Sequence, residues 1–282
     1  MNTTHSSVRH WLYPLLCAVL LLSLDCRRAS KTAITLAGST SVEPFAELLA
    51  EHYMAIHPGI EISVQGGGSS AGIRACQNKI CAIGMSSREL YPEEKGLVEI
   101  PIAQDAIALI VNAGNPVRRL TLEQARDVFA GRIRNWQQLG GPDRRITPIT
   151  REEGSGTRAS FEEKVMVAAM PKGKDGKAEP AAFAPDALVQ DSNGSVREIV
   201  ASDPAAIGYI SSGLVDERVA AVALNGATPT EAAIRSGKYP VVRQFLFLTN
   251  GEATGTAKEF INYVLSDSGQ QALVEEGLTR VR

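Results

Sequence analysis

The feature of this sequence that most restricts its fold is a repeated alternation of short β-type runs with amphipathic helical runs. ITLAG (34–38) predicts a strand, VEPFAELLAEHYMAIHP predicts a helix with its apolar side chains on one face, and IEISVQ (60–65) predicts the next strand. The alternation continues through AIGYIS and VVRQFLFLT (241–249) to two final helices. This pattern is typical of an α/β fold in which mostly parallel strands are covered by helices.

The segment NAGNPV contains the turn residues Gly and Pro and separates the pattern into two units. The second unit begins at TLEQARDVFAG and includes a polar, proline- and glycine-rich insertion, PKGKDGKAEPAAFAP. The strand at 241–249 and the closing helices are too apolar for a surface tail. We therefore expect the end of the chain to return to the first unit.

Three loops that precede helices share one composition. They are AGSTSVEP and GGGSSAG in the first unit and EGSGTRAS in the second. A helix N-terminus offers unpaired N–H groups and a partial positive charge, and Ser and Thr add hydroxyl donors. Because ligands of open α/β sheets bind at the carboxyl ends of strands, these loops predict one pocket for a small tetrahedral oxyanion, with Arg151 as its cation.

Each loop taken alone has a simpler interpretation, because Ser or Thr before a helix is most often an N-cap. A nucleotide-type phosphate loop is excluded, since none of the three has the G-x-x-x-x-G-K-[ST] spacing. A Ser-His-Asp hydrolase would lack its base, because no histidine lies near these loops. The formal net charge of −2 does not indicate a nucleic-acid partner. We expect no cofactor and no metal.

The first 26 residues differ from the rest of the chain. The run WLYPLLCAVLLLSL, 14 residues long, is too short to span a bilayer comfortably but matches the core of a secretory signal. We therefore expect residues 1–26 to be a signal peptide and the protein to be exported. The cysteine after this core resembles a bacterial lipoprotein signal, in which Cys26 becomes the lipidated first residue, although Asp25 replaces the usual small residue. A cleaved soluble protein and an uncleaved anchor are the alternatives.

Two cysteines remain in the folded part, Cys76 and Cys81, in the segment ACQNKICAIG. An oxidising compartment would let this pair close a small disulfide. A metal site would need further Cys or His residues nearby, and the sequence has none there. We expect a disulfide between Cys76 and Cys81, with a buried reduced pair as the alternative.

The motifs also resemble the phosphate-binding proteins that serve the bacterial ABC phosphate importer. The resemblance covers nearly all of residues 32–282 and runs in family order through LAGSTSVEPFAELLAEHY, VQGGGSSAGI, IGMSSREL, LTLEQARDVFAGRIRNW and REEGSGTRASFE. It implies a two-lobed periplasmic-binding-protein fold (type II-like), each lobe a mostly parallel sheet flanked by helices, with the ligand in the cleft. Lobe 1 would comprise 32–112 and 240–282, and lobe 2 would comprise 113–239, with crossings near Asn112 and Pro240.

The same resemblance implies a set of ligand-binding residues. Carried over to this sequence, they are Thr40, Ser41, Ser69, Ser87, Arg151, Ser155, Gly156 and Thr157, with Ser39 and Ser70 in support. Glu153 stands where the family often has an acidic partner that orients the arginine. Ser87 stands where many members have an Asp that accepts the proton that phosphate keeps and sulfate lacks. Since a hydroxyl can accept or donate, we expect Ser87 to reject sulfate less firmly than a carboxylate would.

The function that the resemblance implies is capture of inorganic phosphate by a monomeric, non-enzymatic protein. Its partners would be the membrane permease and ATPase subunits of an ABC importer, and it would meet the membrane only through a lipid anchor, in the periplasm or at the outer face. Binding or sensing of another tetrahedral oxyanion remains an alternative. An extracytoplasmic phosphatase is a further alternative, although the sequence offers it neither a nucleophile nor metal ligands.

Overall fold

The structure is a computed structural model that describes residues 32–167 and 181–281. The segment with the expected signal peptide and Cys26 lies outside these residues, so the structure does not bear on its processing. Within the described ranges, no helix combines the length and the apolar character needed to cross a bilayer.

Eleven strands are described, and the predicted runs ITLAG, IEISVQ, AIGYIS and VVRQFLFLT each match one of them to within two residues at either end. They are β1 (Thr32–Gly38), β2 (Ile60–Gly66), β3 (Ile83–Ser86), β4 (Val98–Asn112), β5 (Arg119–Leu120), β6 (Thr147–Arg151), β7 (Leu188–Gln190), β8 (Ala206–Ser211), β9 (Val219–Ala221), β10 (Ala223–Leu224) and β11 (Val242–Thr249).

Eight α-helices are described between and after these strands. They are α1 (Glu43–Ile56), α2 (Ser69–Gln77), α3 (Leu122–Phe129), α4 (Gly156–Phe161), α5 (Asn193–Ser202), α6 (Glu231–Arg235), α7 (Gly255–Val264) and α8 (Asp267–Glu275). Helix α4 continues directly into a π-helical segment, Glu162–Val167. Ser and Thr side chains cap α3, α4, α5, α6 and α8 by accepting a backbone N–H of the first turn.

The main sheet has the strand order β2-β1-β3-β11-β4-β8-β6-β7, and β9 also pairs with β4. Strand β1 runs parallel to β2 and β3, and β6 runs parallel to β7 and β8. The pairs of β11 with β3 and β4, and of β4 with β8, are antiparallel. The sheet is therefore mixed at its centre and parallel toward both ends. The end of the chain returns to the first unit through β11, as its apolar sequence predicted, and there it occupies the centre of the sheet.

The protein has an α/β, two-lobed architecture in which β4 is shared. The first part of β4 pairs with β11, and the second part, from Ile107, pairs with β8. The hydrophobic clusters divide at the same place. Those of the first half take their buried residues from 36–103 and 245–278, whereas those of the second half take theirs from 106–241. Each half therefore has its own core.

Strand β4 contains two consecutive β-type runs of the sequence, VEIPIAQ and AIALIVN. It is one strand of 15 residues, with Pro101 inside it. Proline lacks a ladder donor and is tolerated in sheets chiefly at edges and bulges. Here the register with β11 shifts between Phe245 and Leu246, next to the position opposite Pro101. This irregularity lets the strand continue past the proline and connect the two halves.

Candidate functional site

The three hydroxyl-rich loops meet between the two halves of the protein, at the carboxyl ends of β1, β2 and β6. The first loop contacts the third directly, since Ser41 Oγ lies 2.7 Å from Thr157 Oγ1. The second loop also contacts the third, because the Ser70 N–H donates to the Gly154 carbonyl at 3.1 Å. Gly154 can turn its carbonyl this way at φ +91°, a conformation that favours glycine. Sequence elements more than 80 residues apart thus form one site.

A cluster of buried serine hydroxyls lies on the side of the first half. Ser39 Oγ donates to Ser87 Oγ at 2.9 Å, and Ser69 Oγ lies 3.3 Å from the same atom. The Ser87 backbone N–H donates to Ser69 Oγ at 3.1 Å. All three serines are nearly inaccessible to solvent. Ser87 is therefore a central member of the cluster.

Gly156 faces this cluster from the first residue of α4. A Cβ built on Gly156 would lie 2.3 Å from Ser69 Oγ and 2.5 Å from Ser87 Oγ, closer than real contacts allow. Because α4 begins at Gly156, the N–H groups of its first turn have no partner within the helix. The absence of a side chain therefore brings a helix N-terminus against the serine hydroxyls.

Arg151, at the end of β6, is almost completely buried, with 1% of its surface exposed. Its Nε donates to Glu152 and to the Gln190 carbonyl. Its Nη2 donates to Thr40 Oγ1 at 3.0 Å, across to the first half, and also to Glu152 and the Asp191 carbonyl. The third nitrogen, Nη1, is buried and receives no hydrogen-bond partner from the described residues. The guanidinium is thus fixed on one side and has an unused donor on the other.

The acidic partner of Arg151 is Glu152, which corrects the expectation for Glu153. The Glu152 carboxylate accepts from Nε at 2.9 Å and from Nη2 at 3.0 Å in a bidentate pair. Glu153 is exposed one residue further on. Glu152 directly follows β6, whose last residue is Arg151, whereas Glu153 already belongs to the turn before α4. Resemblance suggested an acidic partner but misplaced it by one position.

Two other predicted residues have mainly structural contacts. Ser155 is the N-cap of α4, and its hydroxyl accepts from the Arg158 N–H at 3.3 Å. The Ser70 hydroxyl accepts from Arg88 Nη2 at 2.9 Å and points away from the serine cluster toward the Arg88–Glu94 ion pair. The N-cap interpretation therefore applies to Ser155, whereas Ser41, Ser69 and Thr157 project into the site.

The sequence-based prediction missed a second buried arginine, Arg243 in β11, and its partner Asp105 in β4. The two form an ion pair at 2.8 Å, and Arg243 Nη1 donates to Thr157 Oγ1 at 2.8 Å. Asn193 was also missed, and its Nδ2 donates to Ser41 Oγ at 2.9 Å. A signal existed in the sequence. Each of two largely apolar runs, IAQDAIALIV and VVRQFLFL, contains a single charged residue, and the two charges are of opposite sign, which is typical of a buried pair.

Burial dominates the electrostatics of this ion pair. It raises the pKa of Asp105, against the opposing effects of Arg243 and the Ser211 hydrogen bond. Burial also lowers the pKa of Arg243, Asp105 opposes that shift, and the positive charge of Arg151 adds to it. The positive charges of Arg151 and Arg243 therefore oppose each other, and a nearby anion would offset that repulsion.

Cys76 and Cys81 are both buried thiols in the structure, and no bond joins them. A hydrogen bond between the two thiols lowers the pKa of Cys76 and raises that of Cys81. Cys76 Sγ also lies 3.3 Å from the Leu248 carbonyl. The two sulfurs are neighbours, so the expected disulfide remains a prediction for the protein in an oxidising compartment.

The described ranges contain no group of three or more His, Cys, Asp or Glu residues placed to hold a metal ion. The chemistry that the arrangement offers is anion binding by hydroxyls, helix N–H groups and a guanidinium nitrogen.

The comparison with protein families supports this interpretation. Residues 27–268 match the model of the PBP superfamily domain. The phosphate-binding protein PstS of Bacillus subtilis is 34% identical over 251 residues, which cover 86% of this chain and 79% of that protein. PstS of Borreliella burgdorferi is 30% identical over 270 residues, covering 93% of this chain and 95% of that protein.

Solved structures agree with the sequence relatives. A Clostridium perfringens protein, described as a phosphate ABC transporter substrate-binding protein and solved with bound phosphate, superposes with a TM-score of 0.81. It is 37% identical, and the match covers 89% of this chain and all of that one. An ABC-type phosphate transport receptor from Vibrio cholerae gives a TM-score of 0.70 at 38% identity, covering 87% of this chain and 99% of that one. This chain therefore belongs to the PstS family of substrate-binding proteins, within the PBP superfamily.

Proposed function

We propose that this protein captures inorganic phosphate outside the cytoplasm and delivers it, chemically unchanged, to an ABC-type phosphate importer. The observation that carries the proposal is the state of Arg151. Two of its side-chain nitrogens are fixed by Glu152, Thr40 and backbone carbonyls, and Nη1 is buried with no described partner. A buried, unused charge-assisted donor among serine and threonine hydroxyls suits a small oxyanion.

The proposed ligand set follows from the geometry of the three loops. We assign direct contacts to the groups that surround the site from both halves: Thr40, Ser41, Ser69, Ser87, Arg151, Gly156 and Thr157. Ser39 supports Ser87, and Ser155 supports the start of α4. Closure of the two halves around the ligand would be a hinge motion.

The energetics are adequate for binding without any reaction. Taking a small dianion out of water costs at least several kcal/mol after relaxation. Each charge-assisted hydrogen bond contributes roughly 1.5 to 3 kcal/mol. A handful of donors together with Arg151 can therefore offset the desolvation cost. The PstS relatives are substrate-binding proteins, and the proposal requires no nucleophile.

The partners and the location follow from the relatives and from the N-terminus. The Vibrio and Clostridium proteins are described as parts of ABC phosphate transport systems, so we assign the permease and ATPase subunits of such an importer as partners. The apolar run at 11–24 followed by Cys26 supports export and a lipid anchor at that cysteine. The protein would work as a monomer at the outer face of the membrane.

The lobe boundaries are part of the proposal. The family resemblance implied crossings near Asn112 and Pro240. The division of the hydrophobic clusters favours crossings slightly earlier on β4, between Ala103 and Ala106, and slightly later at the second crossing, between Val241 and Phe245. In either case β4 and the segment entering β11 would form the hinge.

The experiment that tests the function is calorimetric titration of the purified, ligand-stripped protein with phosphate, arsenate, sulfate and molybdate. We expect one-to-one binding of phosphate, and measurable sulfate binding because Ser87 replaces the acidic residue of many relatives. No heat and no thermal stabilisation with any of the four anions would refute the proposal. Release of phosphate from an ester substrate would instead indicate the phosphatase alternative.

A further inference from the structure

Behind the site, six buried residues form a closed ring of hydrogen bonds. Following the hydrogen bonds in order, the ring passes from Asp105 to Arg243, Thr157, Ser41, Asn193 and Ser211 and returns to Asp105. The link from Ser211 to Asn193 is made by the Ser211 backbone N–H. Every other link is a side-chain contact of at most 2.9 Å.

The ring joins the hinge strands to the site loops. Asp105 and Arg243 are directly opposite each other on β4 and β11. Two residues further along β4, the pairing partner changes from β11 to β8. Ser41 belongs to the first half, and Thr157 belongs to the start of α4 in the second half. Arg243 is therefore the residue through which the shared strands contact an element that holds the ligand.

The proton count within the ring defines what Ser41 and Thr157 can offer. Arg243 donates to Thr157 Oγ1, and Asn193 donates to Ser41 Oγ. The two hydroxyls also share one hydrogen bond with each other at 2.7 Å. A hydroxyl has one hydrogen and two acceptor lone pairs. If Ser41 donates in the shared bond, Thr157 accepts two hydrogen bonds and keeps its own hydrogen free. If Thr157 donates, the same holds for Ser41.

This arrangement suits an anion. The hydroxyl with both lone pairs occupied can act only as a donor, so it presents hydrogen rather than oxygen lone pairs to the ligand. Without Arg243, the Thr157 oxygen would regain a free lone pair, and an anion would meet a repulsive group in one of its orientations. Arg243 also adds a second positive charge behind the hydroxyls, next to that of Arg151.

We propose that Arg243 is a positioning residue for anion binding, held by Asp105 and acting through Thr157. This inference rests on the proposed phosphate-binding function and extends it to a residue outside the three loops. The competing explanation is that Asp105 and Arg243 only stabilise the strand junction and that the contact with Thr157 is incidental.

The test is a double-mutant cycle between Arg243 and Thr157, with the phosphate Kd and the thermal unfolding midpoint measured for each variant. In Arg243→Lys, the ammonium can still pair with Asp105, but it lacks the forked guanidinium that reaches Thr157 at the same time. We expect about a tenfold weaker phosphate affinity with a small change in unfolding temperature. In the Thr157→Val background, Arg243→Lys should weaken binding by less than about twofold, because its target hydroxyl is gone.

A matched control separates positioning from stability. Tyr239 is buried near the same junction, where its hydroxyl donates to the Ile107 carbonyl at 2.8 Å, outside the ring. Tyr239→Phe should lower the unfolding temperature and leave the phosphate affinity unchanged. If it weakens binding as much as Arg243→Lys, the effect is transmitted by the strand junction and the inference is wrong.

The outcomes distinguish this inference from the proposed function. A wild-type protein that binds none of the oxyanions would overturn both. Wild-type binding with an unaffected Arg243→Lys variant, or with fully additive losses in the cycle, would overturn only the role of Arg243. If Arg243→Lys does not fold, the neutral pair Asp105→Asn with Arg243→Gln replaces it. This double variant is expected to bind phosphate at least about tenfold more weakly than the wild type does, and wild-type affinity in it would refute the inference.

Discussion

Gly156 and Ser69 approach each other so closely across the cleft that a single added carbon on Gly156 would lie 2.3 Å from the Ser69 hydroxyl oxygen. The two residues begin helices in different halves of the protein. The contact therefore requires the two halves to be together. A side chain at position 156 would oppose their close approach without disturbing the hydrophobic core of either half.

Gly156→Ala should weaken phosphate binding while the protein remains folded. Under the proposed hinge motion, separation of the halves relieves the clash, so the substitution should destabilise the closed, ligand-holding arrangement. Overpacking typically costs about 1–3 kcal/mol, which corresponds to a loss of affinity on the order of tenfold to a hundredfold. Calorimetric titration gives the affinity, and circular dichroism checks the fold.

The control for this variant is Gly194→Ala. Gly194 also lies in the first turn of a helix, α5, but a Cβ there would meet its nearest neighbour at 3.8 Å, an ordinary contact. Its phosphate affinity should equal that of the wild type. Equal affinities for Gly156→Ala and the wild type would show that the observed approach is not required for binding.

Arg151→Ala should lower phosphate affinity by about a hundredfold or more, because it removes charge-assisted hydrogen bonds from a buried site. It also removes the link from the second half to Thr40. Arg151→Lys should recover only a small part of the loss, since an ammonium cannot satisfy Glu152 and the ligand with the same fixed geometry.

Arg158 is a poor control for Arg151, because its Nη1 donates to the Arg151 carbonyl. Arg235 is better matched. It is a half-exposed arginine on α6, paired with Glu231 and remote from the loops. Arg235→Ala should bind phosphate as the wild type does. A loss of less than about threefold for Arg151→Ala would contradict the assignment of its guanidinium to the ligand.

Cys76 and Cys81 should be joined by a disulfide in protein recovered from outside the cytoplasm. The two buried thiols lie in the same hydrophobic cluster, and an oxidising compartment favours the bond. Intact mass under non-reducing conditions should be lower by two hydrogen atoms than after reduction. Labelling of two free thiols in the unfolded, unreduced protein would contradict this prediction, and Cys76→Ala provides the single-thiol reference.

The ion pair between Arg88 and Glu94 should make the free energy of unfolding depend on pH in the acidic range. Burial alone would raise the pKa of Glu94, but hydrogen bonds from Arg88 and from the Tyr91 N–H outweigh it and lower the pKa. A lowered pKa in the folded state stabilises the protein above the pKa of the unfolded chain. This stabilisation is lost as the pH falls through the folded-state value.

Urea unfolding at a series of pH values from about 6 to 3 tests this dependence. The free energy of unfolding should fall more steeply for the wild type than for Glu94→Gln, which has no carboxylate to protonate. Glu89→Gln, which removes an exposed carboxylate beside the same arginine, is the control and should follow the wild type. Parallel curves for Glu94→Gln and the wild type would exclude a contribution from the pair.

The residues of the three loops that the structure brings together share a local signal. Thr40, Ser41, Ser69 and Thr157 lie in short glycine-containing loops between a strand and a helix, and topology alone brings such loops to one edge of a sheet. The bounds of β1 and β2 follow from the same local patterns, because each run ends where turn residues begin. This part of the site is encoded within a few residues of each contact.

The residues that sequence reasoning missed depend on distant pairing. Arg243 and Asp105 are 138 residues apart, and their contact exists only because β11 inserts beside β4. No local pattern specifies that neighbour. Which of Glu152 and Glu153 pairs with Arg151 depends on the direction in which each carboxylate projects from the chain after β6. Motif comparison does not resolve a difference of one residue.

The position of β11 between β3 and β4 has a consequence for the order in which the protein can form. The two neighbours of this strand occur early in the sequence, yet residues 242–249 must be available before either can complete its hydrogen bonding on that side. Such non-local pairing slows folding. A chain that stops before residue 242 would leave the facing edges of β3 and β4 open to other strands, so we expect C-terminally truncated fragments to aggregate rather than to fold as a smaller domain.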